Sequence, residues 1–138
     1  MTDIIRTAGV LIYRDQEVVL VRHGTAAGHL TGVYGLPSGS LEEGETELEA
    51  AVRELEEETG LTTSQKDLVE LPETYTAEIQ RKDGVKKFSL KVFLCKRFSG
   101  ELKETEETTP EWVKISDLKK YKLLPNVEEI VKGGLRYR

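Results

Sequence analysis

Residues Gly39 to Leu61 read GSLEEGETELEAAVRELEEETGL. Thr46, followed three residues later by Glu49, makes a capping box in which each side chain satisfies a backbone N–H that would otherwise lack a partner. Gly60 stands where a chain leaving a helix turns into the left-handed conformation that glycine adopts at no steric cost. Between these signals lie mostly Glu, Leu, Ala and Arg, all good helix formers. The pattern predicts a helix over residues 47–59.

At about 100° per residue, Leu48, Ala51, Val52, Leu55 and Thr59 fall on one side and form the expected packed face. Glu54, Glu57 and Glu58 share a neighbouring arc roughly 100° wide. Glu56 points nearly the opposite way. Like charges on one helix face repel by about a few tenths of a kcal/mol per pair. A hard divalent cation, which takes oxygen ligands, would offset that repulsion. The competing reading is a solvated acidic helix face. The glycine-punctuated loop Leu36-Pro37-Ser38-Gly39 and Leu41-Glu42-Glu43-Gly44-Glu45 favours the cation, because it lets backbone approach a ligand closely. Arg53 has Glu49 and Glu57 four residues away on either side, so the local reading makes it an organiser of charge.

Outward from this segment the chain alternates strand and turn signals. Thr7–Tyr13 and Glu17–Arg22 are β-branched and apolar, split by Asp15-Gln16. Gly24–Gly32 reads as a loop and Val33–Leu36 as a short strand. Leu68–Gln80 and Lys86–Phe98 form an expected hairpin about Lys82-Asp83-Gly84. Phe88, Leu90, Val92 and Leu94 share one face by alternation. Glu111–Ile115 reads as a strand, a short helix follows Ser116, and Pro125 opens a last helix ending near Gly133-Gly134. Strands on both sides of a central helix imply an α/β sandwich on a mixed sheet.

The 138 residues suit one domain, 1–138, with an ordinary hydrophobic content of 38%. A net charge of −5 argues against a nucleic-acid surface but not against a small phosphorylated molecule. Cys95 is the only cysteine, so no intramolecular disulfide forms. No apolar run is long enough to span a membrane, and a cytoplasmic protein is expected.

The spacing of Gly39, Glu45, Arg53-Glu54-Leu55, Glu57-Glu58 and Gly60-Leu61 resembles the motif of the Nudix hydrolases, and the element order agrees over nearly the whole chain. The resemblance implies the Nudix fold, an α/β/α sandwich. It also implies a hydrolase that cleaves the diphosphate link of a nucleoside diphosphate derivative, a metal-binding pyrophosphatase using Mg²⁺, with Mn²⁺ as the alternative. Glu54, Glu57 and Glu58 match the metal ligands, joined by the backbone carbonyl of Ser38, where many relatives have glycine. Gly39, Glu45, Arg53 and Gly60 match the residues that support the motif. Some relatives draw a ligand or base from a later acidic loop. Here Glu106 or Glu107 is the candidate, with Glu107 taken as the catalytic one. Homodimers are common among relatives.

Beyond the motif, Tyr34, Tyr75 and Phe88 could stack on a nucleobase, and Tyr34 is expected to be the substrate contact because it just precedes the motif loop. His23 and His29 each stand alone in a loop region, which suits a surface or substrate-contact role better than acid–base work. Nucleoside triphosphates are the favoured substrates. Pro72 lies closer to the motif than the proline of ADP-ribose hydrolases, and Tyr75 only approximates the tyrosine of diadenosine polyphosphate hydrolases. Alternatives are an ADP-ribose or nucleotide-sugar pyrophosphatase, a catalytically silent nucleotide sensor, and a scaffold with a merely solvated acidic helix.

Overall fold

The computed structural model describes residues 3–138. Its strands are β1 (Ile4–Leu11), β2 (Tyr13–Arg14), β3 (Glu17–His23), β4 (Tyr34–Gly35), β5 (Ser38–Ser40), β6 (Leu68–Arg81), β7 (Gly84–Cys95) and β8 (Thr108–Lys114). The helices are α1 (Glu47–Thr59) and α2 (Val127–Gly134), with short 3₁₀ turns at Gln65–Asp67, Ile115–Lys120 and Leu135–Tyr137.

The strands form two four-stranded sheets, one of which is the expected mixed sheet. One has the order β5-β1-β7-β6, in which β1 and β7 run parallel and the outer pairs are antiparallel. In the other, β3 pairs with β2, β4 and β8, all antiparallel. The predicted strand Thr7–Tyr13 is interrupted at Ile12, where the chain passes from the first sheet to the second. Pro110 is tolerated within β8 because, among the described residues, that strand pairs with β3 alone and leaves its other edge free of ladder bonds.

Alternation along these strands separates two apolar layers. Ala8, Val10 and Ile12 of the first strand region, with Val19 of β3, pack under Ala50, Ala51 and Leu55 of α1. Leu11, Val18 and Leu20 face the opposite way and meet Val127, Ile130 and Val131 of α2. This is the α/β/α sandwich, with one helix on each face. Val92 and Leu94 of β7 join the α2 side and Phe93 and Cys95 the α1 side, as a period of two requires. Cys95 is a free, buried thiol. Among the described residues no helix is long and apolar enough to cross a membrane.

The predicted helix bounds hold at residues 47–59, with both capping-box bonds formed and Gly60 at φ 83°. The packed face is rotated from the expectation, since Ala50 and Glu54 are buried while Leu48 and Val52 are half-buried. Other boundaries differ as well. Ser38–Ser40 forms a strand where a loop was expected, because it pairs with Thr7–Gly9 of β1. The hairpin is tighter, with β7 starting at Gly84 (φ 119°). Pro125 precedes the last helix instead of opening it, because Asn126 takes a left-handed φ of 72° at the cap.

Leu55 is fully buried in the α1 layer. Leu55→Ala is expected to cost about 2–5 kcal/mol, whereas Thr46→Ala, which removes the cap, costs about 1 kcal/mol. Urea unfolding of the two variants checks both the values and their order.

Candidate active site

The acidic side of α1 lies against β5 because Gly39 has no side chain. A Cβ at Gly39 would overlap the Glu54 carboxyl group. One turn further on, the backbone N–H of Ser38 donates to Glu58 Oε1 at 2.8 Å. The strand before the helix and the carboxylates on it are therefore a single packed unit.

Arg53 is the cation of this unit. Its Nε and Nη2 donate to Glu45 Oε2 and Oε1 at 2.8 and 2.7 Å, a bidentate pair. Its Nη1 reaches Glu54 Oε1 at 2.7 Å and Glu57 Oε2 at 3.1 Å, and Nη2 also donates to the Ser40 carbonyl at 3.0 Å. The guanidinium hydrogen bonds hold Glu45 down to a pKa of about 2. Glu54 is pushed upward instead, first by burial and against the pull of Arg53.

Among the carboxylates of the site Glu58 is raised most. Burial drives its pKa up to about 8, and Glu54, Glu107 and Glu57 add to the rise, while the Ser38 N–H opposes it. Glu107 arrives on the segment before β8. Its backbone N–H donates to Thr105 Oγ1 at 3.2 Å, and its carbonyl accepts from Gly24 N at 2.8 Å. Thr108 Oγ1 in turn donates to the Glu58 carbonyl at 3.2 Å, tying this segment to the end of α1.

Ser38, Gly39, Glu54, Glu58 and Glu107 line one cavity of about 250 Å³. Glu57, expected as a ligand, is not part of the lining; it is exposed and paired with Arg53. Glu106 is exposed outside the lining. Among the described residues no three acidic, imidazole or thiol groups converge closely enough to cage an ion. Arg53 occupies Glu54 and Glu57 in this arrangement.

Tyr34 does not face the cavity. Its hydroxyl donates to Glu111 Oε2 at 3.0 Å and its ring meets Tyr121 edge-on. The neighbouring Gly35 lines the cavity, so the alternation of β4 turns Tyr34 away. Tyr75 and Phe88 line it instead.

Two residues expected to be solitary meet there. The rings of His23 and His29 lie 4.3 Å apart, and both line the cavity with Arg81. Burial and the Arg81 charge lower His23 to a pKa of about 4, and burial, His23 and Arg81 lower His29 to about 3. Both are neutral near pH 7. The sequence carried a signal for Arg81: Tyr75, Ala77, Ile79 and Arg81 alternate along β6, and all four line the cavity.

A NUDIX domain family model matches residues 3–133. The chain belongs to the Nudix family. It is 31% identical over 129 residues to the ADP-ribose pyrophosphatase of Methanocaldococcus jannaschii, covering 93% of this chain and 71% of that protein. Identity to the 8-oxo-dGTP diphosphatase of Escherichia coli is 27% over 123 residues, covering 89% of each. The crystal structure of the MutT protein from Methanosarcina mazei Go1 superposes with a TM-score of 0.79 at 22% identity, covering 99% of this Nudix chain and 96% of that one. That likeness establishes the shared fold. The chain spans 20–38% of the length of three other curated relatives it matches.

The sign of the Glu58 shift gives a test of the site without substrate. A carboxyl whose folded pKa is raised to about 8 binds more protons when folded than when unfolded. Its stabilising contribution is full below the unfolded value near pH 4.5 and is lost as pH rises to about 8. In chelator, denaturation should show stability falling across that window, and Glu58→Gln should flatten the fall. A wild-type profile that the Gln variant reproduces would contradict the shift.

Proposed function

We propose that this Nudix domain is a metal-dependent pyrophosphohydrolase acting on nucleoside diphosphate derivatives, with nucleoside triphosphates favoured. The observation that carries the reading is Glu58, driven towards neutrality by burial and by three neighbouring carboxylates at the edge of a cavity. The available donors, Glu54, Glu57, Glu58 and the Ser38 carbonyl, are all oxygen and mostly anionic, which fits a hard divalent cation. Bound there, Mg²⁺ or Mn²⁺ would neutralise phosphate charge and make water a better nucleophile.

The chain's own residues do the remaining work. Gly39 lets backbone approach the phosphates, and Arg53 holds Glu45, Glu54 and Glu57 in one network. Glu107, fixed by Thr105 and Gly24, lines the cavity where it can accept a proton from attacking water. Tyr75, Phe88 and Leu90 offer an apolar wall for a nucleoside.

The similarity to an 8-oxo-dGTP diphosphatase supports the triphosphate reading. A second reading, ADP-ribose cleavage, draws on the similarity to an ADP-ribose pyrophosphatase at 31% identity. Product analysis separates them. Triphosphates should give monophosphate and pyrophosphate, whereas ADP-ribose would give AMP and ribose phosphate. Release of single orthophosphate from a triphosphate contradicts the proposed bond, and faster turnover of ADP-ribose reverses the substrate order.

Glu58→Gln should lower turnover by about two orders of magnitude or more, with folding retained. Glu56→Gln is the control, because Glu56 is exposed outside the cavity lining. Equal activity of the two variants at saturating Mg²⁺ would remove Glu58 from the mechanism. Glu107→Gln should lower kcat more than it raises KM, and an unchanged kcat would return the proton to another group.

A further inference from the structure

Arg81 ends β6 at the tip of the long hairpin, and its guanidinium makes no ion pair or hydrogen bond among the described residues. Its Nε is buried without a partner, as is Nδ1 of the adjacent His29. Leaving such groups unpaired costs free energy that a structure normally avoids. The chain has 25 acidic residues against 20 basic ones, yet among the described residues no carboxylate meets this cation. Glu54, Glu58 and Glu107 line the same cavity without pairing with it.

The placement is enforced by the surrounding chain. The loop before β4 is laced to the hairpin by Lys82 N to the Gly28 carbonyl at 3.0 Å and Lys82 Nζ to the Thr25 carbonyl at 2.7 Å. Gly28 lies directly over the guanidinium, and a Cβ there would overlap Arg81 Nη2. The Phe88 ring lies beneath it, with the guanidinium carbon 5.7 Å from the ring centroid. The histidines on its other side supply no counter-charge.

One cavity thus holds carboxylates in want of a cation and a guanidinium in want of an anion. A cation–polyphosphate complex has the matching pair of charges. We infer that Arg81, with His29 beside it, is an anion-binding subsite that grips the phosphate chain of the substrate while the carboxylates take its cation. Guanidinium and phosphate match in geometry as well as charge, through two parallel N–H···O bonds. The inference rests on the diphosphate reading of the site and adds to it a phosphate ligand outside the motif. It follows that Arg81 contributes to binding equally for every nucleobase.

Calorimetric titration with inorganic pyrophosphate in Mg²⁺ tests this without turnover. Wild-type protein should bind, and Arg81→Met should bind about tenfold or more weakly, with Arg81→Lys between them. Gly28→Ala, which keeps Arg81 but displaces its guanidinium, should weaken binding in the same direction. In hydrolysis assays Arg81→Met should raise KM by a similar factor for ATP, GTP, CTP and UTP, with a smaller change in kcat. Undetectable pyrophosphate binding to wild type, unchanged affinity in folded Arg81→Met, or a loss confined to one base would each overturn the subsite. Arg81-dependent pyrophosphate binding without hydrolysis of any nucleotide would sink the enzymatic reading and leave the subsite standing.

Discussion

The site depends on one close approach. The helix α1 can bring its acidic side against β5 only because Gly39 presents bare backbone to the Glu54 carboxyl group. That contact sets the depth at which Glu58 sits, and the Ser38 N–H then meets Glu58 Oε1. Below the helix, Ala50 and Ala51 are small enough to let it settle onto β1, and Leu55 fills the layer between them. The carboxylates are buried because the apolar face beside them is anchored.

Burial of like charges then has to be balanced. Arg53 offsets part of it, since one guanidinium serves Glu45, Glu54 and Glu57 at once. It does not reach Glu58, which is held by a single backbone N–H and pushed towards its neutral form. The protein carries this cost in the place where a bound cation would remove it. Arg81 is the complementary case, a cation half-buried without an anion. Neither fits an economy of stability alone, and perturbed groups gathered in one cleft are the mark of a functional site.

Much of this was legible in the sequence because it is local. The capping box, the helix bounds and the Gly60 cap follow from residues within a few positions of one another. The alternation of Phe88, Leu90, Val92 and Leu94 placed β7 correctly for the same reason. Non-local facts were out of reach. Ser38–Ser40 becomes a strand through its pairing with β1, which no local pattern reports. The meeting of His23 with His29, and of both with Arg81, depends on the hairpin folding over the loop before β4. Tyr34 was misplaced because proximity in sequence says nothing about which face of a two-residue strand a side chain takes.

On the proposed reading Glu58 lacks a positive partner until a cation binds, and proton release measures this directly. At pH 7 a carboxyl with a pKa of about 8 is mostly protonated, so ligation must expel its proton. Calorimetric titration of the chelated protein with Mg²⁺, repeated in buffers of different ionisation enthalpy, counts the protons released. The account predicts close to one proton per cation, falling to near zero in Glu58→Gln. Cation binding with no proton release from wild type, or the same release from the variant, would contradict it.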